Sequence, residues 1–325
     1  MKAIEKFLSC DWGTSFFRLR LVELPGLRII AESNSGNGIA MTFELWEQRE
    51  KSENTRLSFY FDIVRQHIEM LEKKSGISLN DLPLIISGMA SSTIGIIELS
   101  YKSFPFSADG SDLITKIIEA DDKFLHKTVI ISGAKTDDDA IRGEETELAG
   151  CYNDDVDGQE QIFVFPGTHS KHITVRKDKA IAVKTYMTGE FFELLSKKSI
   201  LSVSIEKGTG LLPKKNQQCF EKAVMDSVQS NLLHSCFLVR TNHLFARFTR
   251  QENYYYLSGL LIGTEMKELM NEGPSNITLV SNPTLSPYYE TAFNILNKGK
   301  SILKIQNADD AIVRGQLKIS ARLLQ

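Results

Sequence analysis

Two short turns and one charged knot hold the residues whose types and spacing could do chemistry. Asp11-Trp12-Gly13-Thr14-Ser15 follows the apolar pair Phe7-Leu8, and Pro166-Gly167-Thr168-His169-Ser170-Lys171 follows Ile162-Phe163-Val164-Phe165. Glycine has no Cβ to keep a phosphate oxygen away from the backbone. Two strands running into such turns could therefore aim N–H groups and hydroxyls at one polyphosphate. Between the turns lies Asp137-Asp138-Asp139-Ala140-Ile141-Arg142-Gly143-Glu144-Glu145-Thr146-Glu147. An acidic residue opening a helix there could take the proton of a phosphoryl acceptor. Asp139 is the first choice for that base and Glu144 the second, with Arg142 a candidate for a substrate carboxylate. Asp11 could hold a hydrated Mg²⁺, which takes one or two carboxylates and keeps several waters. Taken alone, the first turn reads rather as an Asx-turn joining two strands. The helix dipole accounts for Glu144 and Glu145 in a first turn, but not for Arg142 beside three consecutive aspartates.

Further polar segments could border the ligands. Ser87-Gly88-Met89-Ala90-Ser91-Ser92 ends a strand in small residues and could close on a sugar, or could simply turn into a helix. Lys171 or Ser170 could touch a phosphate or the substrate; their neighbours His169 and His172 read otherwise as surface or half-buried histidines, the favoured reading for His172. Thr188-Gly189-Glu190 opens a helix that could border both ligands. Gly259 and Gly263 stand four apart on a helix, where close helix packing is the default and a path for adenosine is the sharper reading. Arg18, on the strand after the first turn, could be a solvated strand residue.

The elements that must position these residues alternate in α/β fashion. Lys6–Cys10 and Phe16–Val22 read as strands, with Pro25-Gly26 closing a hairpin onto Arg28–Glu32. Leu57, Phe61, Val64, Ile68 and Leu71 step by four and three, one face of an amphipathic helix. Leu84–Ser87 and Lys127–Ser132 are further strands, and Asp139 stands where an N-cap would precede a helix over Gly143–Tyr152. Strand, turn and hairpin recur in Gln161–Phe165, His172–Arg176 and Ala180–Thr185. Helices follow at Gly189–Lys197 and Tyr254–Met270, strands at Ile277–Ser281 and Ile302–Gln306, and a closing helix at Asp309–Leu324. The polar run Asn153–Gln159 is the expected connection between lobes spanning 1–155 and 156–325. Asp138–Gly143 has an echo in Asp309–Gly315, read first as chance plus shared capping chemistry and second as a duplicated lobe.

The 325 residues suit two domains. Apolar content of 42% and charged content of 24% are ordinary for a soluble enzyme. A net charge of −3 gives no general attraction to nucleic acid or anionic membrane. No apolar run approaches a membrane span, and no signal peptide is expected. The four cysteines lack metal or disulfide spacing, so a reduced, cytoplasmic protein is expected.

In combination, these segments resemble the 2-dehydro-3-deoxygalactonokinase family of the actin-like/hexokinase superfamily, almost end to end. The resemblance rests on Asp11-Trp12-Gly13-Thr14 with Arg18, Ser87-Gly88-Met89, and Ile141 through Glu147. It continues in Pro166 through Lys171, Met187-Thr188-Gly189-Glu190 and Leu257 through Gly263. It implies two ribonuclease H-like lobes, the first on the sugar-acid side and the second on the nucleotide side, with ATP in the cleft between them. It also implies transfer of the γ-phosphate to the 6-hydroxyl of 2-dehydro-3-deoxy-D-galactonate. ATP and phosphate would meet Asp11, Gly13, Thr14, Ser15, Gly167, Thr168, His169, Gly259 and Gly263, with Mg²⁺ on Asp11. The sugar acid would meet Arg18, Gly88, Met89, Ser91, Arg142, Lys171 and Glu190, and Asp139 would match the catalytic aspartate of related sugar kinases. A homodimer is an open assembly. The family usually has glycine where this chain has Ser281-Asn282-Pro283-Thr284, and a Gly-Trp and a Glu-Ala-Pro-Tyr run where it has Gly95-Ile96 and Glu98-Leu99-Ser100-Tyr101. A kinase for another acidic sugar, a polyphosphate or nucleotide phosphohydrolase and a non-catalytic sensing module are the rival readings.

Overall fold

The computed structural model describes residues 5–49, 53–153, 159–211, 213–274, 276–297, 299 and 301–323. The chain forms two compact units. One is Met1–Asp157 with Asp178–Ala182 and Ala308–Gln325; the other is Gly158–Lys177 with Val183–Asn307. The expected connection at Asn153–Gln159, and with it the 155/156 boundary, lies largely outside the described residues.

In the first unit, β1 (Lys6–Trp12), β2 (Phe17–Glu23) and β3 (Arg28–Ser35) form a meander, followed by α1 (Ile39–Arg49) and α2 (Glu53–Ser75). Phe61, Val64, Ile68 and Leu71 of α2 are buried as their spacing predicts, but Leu57 is 37% exposed, because the core the helix faces begins one turn later at Tyr60 and Phe61. β4 (Leu84–Gly88) is buried throughout, as a central parallel strand should be. Short strands β5 (Lys102–Ser103), β6 (Phe106–Ser107) and β7 (Thr115–Ile118) precede β8 (Thr128–Ile131). The hairpin β9 (Ala134–Lys135) and β10 (Ala140–Ile141) leads into α3 (Glu144–Cys151). The sheet order is β3-β2-β1-β4-β8-β7, with β1 antiparallel to β2 and parallel to β4, and β4 parallel to β8.

The second unit begins with β11 (Gln161–Phe165), β12 (Ser170–Arg176) and β13 (Lys179–Tyr186). Helices α4 (Thr188–Lys198), α5 (Lys214–Gln229), α6 (Leu232–Leu244) and α7 (Arg250–Glu272) follow, then β14 (Asn276–Ser281), α8 (Ser286–Leu296) and β15 (Ile302–Asn307). Its strands lie in the order β15-β14-β11-β12-β13, with β11 antiparallel to β12 and parallel to β14, and β14 parallel to β15. Each unit thus carries a meander whose first strand pairs in parallel with a later strand and that one with the next. This is the ribonuclease H-like order, built twice.

The last helix, α9 (Ala308–Ser320), belongs with the first unit. Its Gln316 Nε2 donates to the Cys10 carbonyl (2.8 Å) and to Ser87 Oγ (2.9 Å), joining β1 and β4 behind their polar ends. α9 also crosses α3 at two glycines: a Cβ at Gly150 would lie 1.8 Å from the Ala311 carbonyl oxygen, and one at Gly315 1.8 Å from that of Thr146. The echo between Asp138–Gly143 and Asp309–Gly315 is therefore not a structural repeat. The first stretch is a strand and a turn; the second lies in a helix.

Candidate active site

The polar end of the first unit is built by register. Asp11 pairs with Ser87 on β4 and with Arg18 on β2, so its carboxylate stands where β1 leaves the sheet. Gly88 turns the chain at once, with φ +88, and a Cβ there would sit 2.8 Å from the Trp12 carbonyl oxygen. Gly143, at φ +120, lies against it: a Cβ at 143 would be 3.7 Å from Gly88 Cα. Two positions open only to a residue without a side chain thus bring the end of β4 and the start of α3 together beside Asp11.

The start of α3 differs from the sequence expectation. Its N-cap is Gly143, not Asp139, and Glu144 and Glu145 fill its first turn. Asp139 sits in the turn of the β9–β10 hairpin, where Oδ1 accepts from the Ala140 N–H (2.8 Å) and its own N–H donates to Thr136 Oγ1 (2.9 Å). The run of aspartates forms a hairpin turn, so the carboxylates that open the helix are Glu144 and Glu145. Glu144 Oε2 accepts from the Arg142 N–H (3.0 Å). Glu145 is fully buried and accepts from the Gly143 N–H (2.8 Å) and the Thr146 hydroxyl (3.1 Å). Burial first, and then the Glu144 charge, raises Glu145 to about 7. Burial, then Glu144 and Asp11, push Glu147 well above the carboxylate range. Burial likewise raises Asp11 to about 6, opposed by Arg18 and Arg20 and reinforced by Asp309 and Glu144.

Arg142 reaches from this helix start to the next loop. Its Nη1 donates to the Ser91 carbonyl (2.6 Å) and to Ser91 Oγ (2.7 Å), and its guanidinium lies 4.1 Å from the Tyr101 ring centroid. Its Nε is buried with no partner among the described residues. A buried donor left unpaired is costly, which marks a place for an acceptor from outside the chain. Arg56 of α2 holds the far side of that loop through the Gly95 (2.7 Å) and Thr93 carbonyls, and the Tyr60 hydroxyl donates to the Ile94 carbonyl. Met89 accepts from the Ser92 N–H and hydroxyl within the same loop.

Arg18, expected on the substrate, is tied to Asp309 at the start of α9. Buried Arg20 bridges the same aspartate (2.9 Å) and Glu32 (2.7 Å). In the first turn, Gly13 N–H donates to the Phe16 carbonyl (3.0 Å), and the Gly13 and Thr14 carbonyls receive the Ile39 and Ala40 N–H groups at the start of α1. Gly13 is thus occupied with its own turn, and exposed Thr14 and Ser15 are the residues it presents.

In the second unit the Gly167 turn packs on the start of α4. The Glu190 N–H donates to the Thr168 carbonyl (3.0 Å), and His169 Nε2 lies 2.6 Å from Glu190 Oε2. Gly189 comes so close that a Cβ there would lie 2.5 Å from the Gly167 carbonyl oxygen. Lys171, expected at a phosphate or the substrate, is buried and directs Nζ back to the His169 carbonyl (3.0 Å).

A pocket of about 160 Å³ opens beside this turn. It is lined by Gly167, Thr188 and Gly189, by Phe192 of α4, by Tyr254, Ser258, Leu261 and Ile262 of α7, and by Thr284, Leu285, Tyr288 and Tyr289. Gly259 and Gly263 face the other way. A Cβ at 259 would strike the Phe220 carbonyl oxygen at 2.4 Å, and one at 263 would lie 2.9 Å from Val224 Cα, so they serve the crossing of α5 and α7. In the loop expected to carry glycine, Asn282 Oδ1 accepts the Thr284 (2.9 Å) and Leu285 (3.0 Å) N–H groups. A side-chain cap thus brings Thr284 and Leu285 to the pocket.

Sequence reasoning missed Glu265. This α7 carboxylate, 2% exposed, accepts from Ser170 Oγ (2.6 Å), Thr188 Oγ1 and the Tyr289 hydroxyl (2.9 Å), and His172 Nε2 lies 2.9 Å from it. Among the described residues no group of three or more His, Cys, Asp or Glu forms a metal cage. No donor there hydrogen-bonds the Asp11 carboxylate, which stands near Glu144. A lone buried carboxylate with a second acid nearby fits a Mg²⁺ that keeps its waters and takes its other ligands from phosphate.

Two ribonuclease H-like units, one with a carboxylate-opened helix and one with a turn-bordered pocket, define the actin-like ATPase fold to which sugar kinases belong. Residues 11–319 match the model of the 2-keto-3-deoxy-galactonokinase family, and the chain belongs to that family of carbohydrate kinases. It is 27% identical over 326 residues to a provisionally assigned 2-dehydro-3-deoxygalactonokinase of Rhizobium meliloti, covering 98% of this chain and 97% of that protein. It is 29% identical over 220 residues to the 2-dehydro-3-deoxygalactonokinase of Escherichia coli, covering 66% and 71%. A crystal structure of a candidate 2-dehydro-3-deoxygalactonokinase from Sinorhizobium meliloti superposes with a TM-score of 0.79 at 25% identity, covering 97% of this chain and 96% of that one. Among the described residues no helix is long and apolar enough to cross a membrane, and no disulfide joins two cysteines.

Proposed function

We propose that the protein transfers the γ-phosphate of ATP to the 6-hydroxyl of 2-dehydro-3-deoxy-D-galactonate, a cytoplasmic step of galactonate breakdown. The observation that carries this reading is the start of α3, where the Gly143 turn sets Glu144 near Asp11 and leaves Arg142 Nε without a partner. In this account the first unit holds the sugar acid and the second holds ATP. Arg142, fixed by Ser91 and stacked on Tyr101, offers Nε to the carboxylate or keto oxygen of the substrate. Glu144 accepts the proton of the attacking hydroxyl. Asp11 would hold Mg²⁺, whose charge would offset that gathering on the phosphoryl oxygens. Thr14 and Ser15 are the hydroxyls that the first unit's turn presents to a phosphate, and Thr168 at the Gly167 turn is the one that the second unit presents. The aromatic pocket formed by Phe192, Tyr254 and Tyr288 takes the base.

The acceptor must also present a free 6-hydroxyl. A 2-keto acid of six carbons ties up that oxygen when it closes to a six-membered ring, so the reacting form is the open chain or the five-membered ring. Product analysis by phosphorus–proton correlation NMR tests the assignment. Phosphate on C6, with no turnover of the corresponding carboxamide, is expected; phosphate elsewhere, or equal turnover of the carboxamide, would refute it.

A further inference from the structure

Glu265 has no place among the reacting groups, yet its surroundings are unusual. It is a carboxylate on α7 with a side chain only 1% exposed, and no arginine or lysine is paired with it in an ion bridge among the described residues. Its partners are hydroxyls and an imidazole drawn from three other elements: Ser170 and His172 on β12, Thr188 at the start of α4, and Tyr289 on α8. Two of these, Thr188 and Tyr289, line the pocket beside the Gly167 turn, and Ser170 is the residue by which that turn enters β12. Glu265 itself does not line the pocket.

A carboxylate held this way fixes orientation more than it adds stability. Removing one side of a buried charged hydrogen bond leaves the other unsatisfied, and an apolar residue would pack the same space at lower desolvation cost. The arrangement instead makes one acceptor decide where three walls of the pocket stand. Oε1 sets β12, and with it the turn, through Ser170 and His172; Oε2 sets α4 and α8 through Thr188 and Tyr289.

We infer that Glu265 is a positioning residue for the nucleotide: it locks the phosphate turn, the start of α4 and the start of α8 into one arrangement, and acts on ATP only through them. This rests on the reading of that pocket as the ATP site. Because Glu265 lies in the second unit, its removal weakens ATP and leaves the sugar acid alone.

The test compares wild type with Ser170→Ala, Glu265→Gln and Glu265→Ala. It measures ATP affinity by calorimetry, KM for ATP and for the sugar acid, and thermal melting. Ser170→Ala removes one donor without opening a large cavity, so it keeps the test valid if Glu265→Ala fails to fold. The expected result is a loss of ATP affinity of roughly 10-fold in Ser170→Ala, more in Glu265→Ala, and partial rescue in Glu265→Gln, with KM for the sugar acid within about 2-fold of wild type. Unchanged ATP affinity in folded Ser170→Ala and Glu265→Gln would overturn the inference while leaving the ATP site intact. So would a parallel rise of both KM values with a lower melting temperature. Failure of the wild type to bind ATP would overturn the pocket assignment as well.

Discussion

Glu144→Gln is expected to lower kcat by about 10²–10⁴-fold, the range that a positioned general base supplies. ATP affinity should remain within about 2-fold of wild type. The amide keeps the size of the side chain and can still accept from the Arg142 N–H, so the start of α3 is preserved while the proton acceptor is lost. Asp139→Asn serves as the paired control. Its carboxylate caps the Ala140 N–H in a hairpin turn, a bond that an asparagine oxygen can keep, so turnover should stay within about 3-fold. A large loss in Asp139→Asn with near-normal turnover in Glu144→Gln would reverse the assignment.

Asp11→Asn is expected to reduce turnover by roughly 100-fold or more, since a divalent ion at a phosphoryl group supplies several kcal/mol of charge stabilisation. The same change should make the protein more stable at neutral pH. Burial raises the Asp11 carboxyl from its ordinary 3.8 to about 6. The folded state therefore binds this proton more tightly than the unfolded chain, and the Asp11 contribution to stability falls as pH rises from about 4 to about 6. Asparagine removes that cost. Its melting temperature should exceed that of wild type at pH 7–8, and the difference should vanish below about pH 4, where the acid is neutral in both states. In wild type without bound metal, protonation of the same group predicts an acid limb in kcat/KM near pH 6. Equal melting temperatures across this range would contradict the buried charge on Asp11.

Much of the frame is legible in the chain because its signals are local. The strands ending at Trp12, Gly88 and Phe165 are short apolar runs closed by small polar residues, and the structure places them at the centres of the two sheets. α6 is not legible in this way. Leu232, Leu233, Cys236, Phe237, Leu238 and Val239 put apolar side chains on every face, so no helical period stands out, and Leu233 is 84% exposed. α5 did carry a signal, in Cys219, Phe220, Ala223, Val224 and Ser227, and these are the residues that receive Gly259 and Gly263 of α7. The role of the α7 glycines follows only once that partner is recognised. The N-cap of α3 was misplaced by four residues, although the helix itself was expected from Gly143, because three aspartates before a helix imitate a cap, whereas a glycine with positive φ precedes it. Glu265 could not be found from its neighbours in sequence, since its partners lie at 170, 172, 188 and 289 and meet only in the fold.

The most direct test of the central claim is coupled ADP release with ATP and Mg²⁺ on three samples: 2-dehydro-3-deoxy-D-galactonate, its gluconate epimer and no sugar. The account predicts sustained turnover with the galactonate form, markedly less with the epimer and none without sugar. Equal or faster turnover on the epimer would contradict the substrate, and ADP release without any sugar would contradict the kinase.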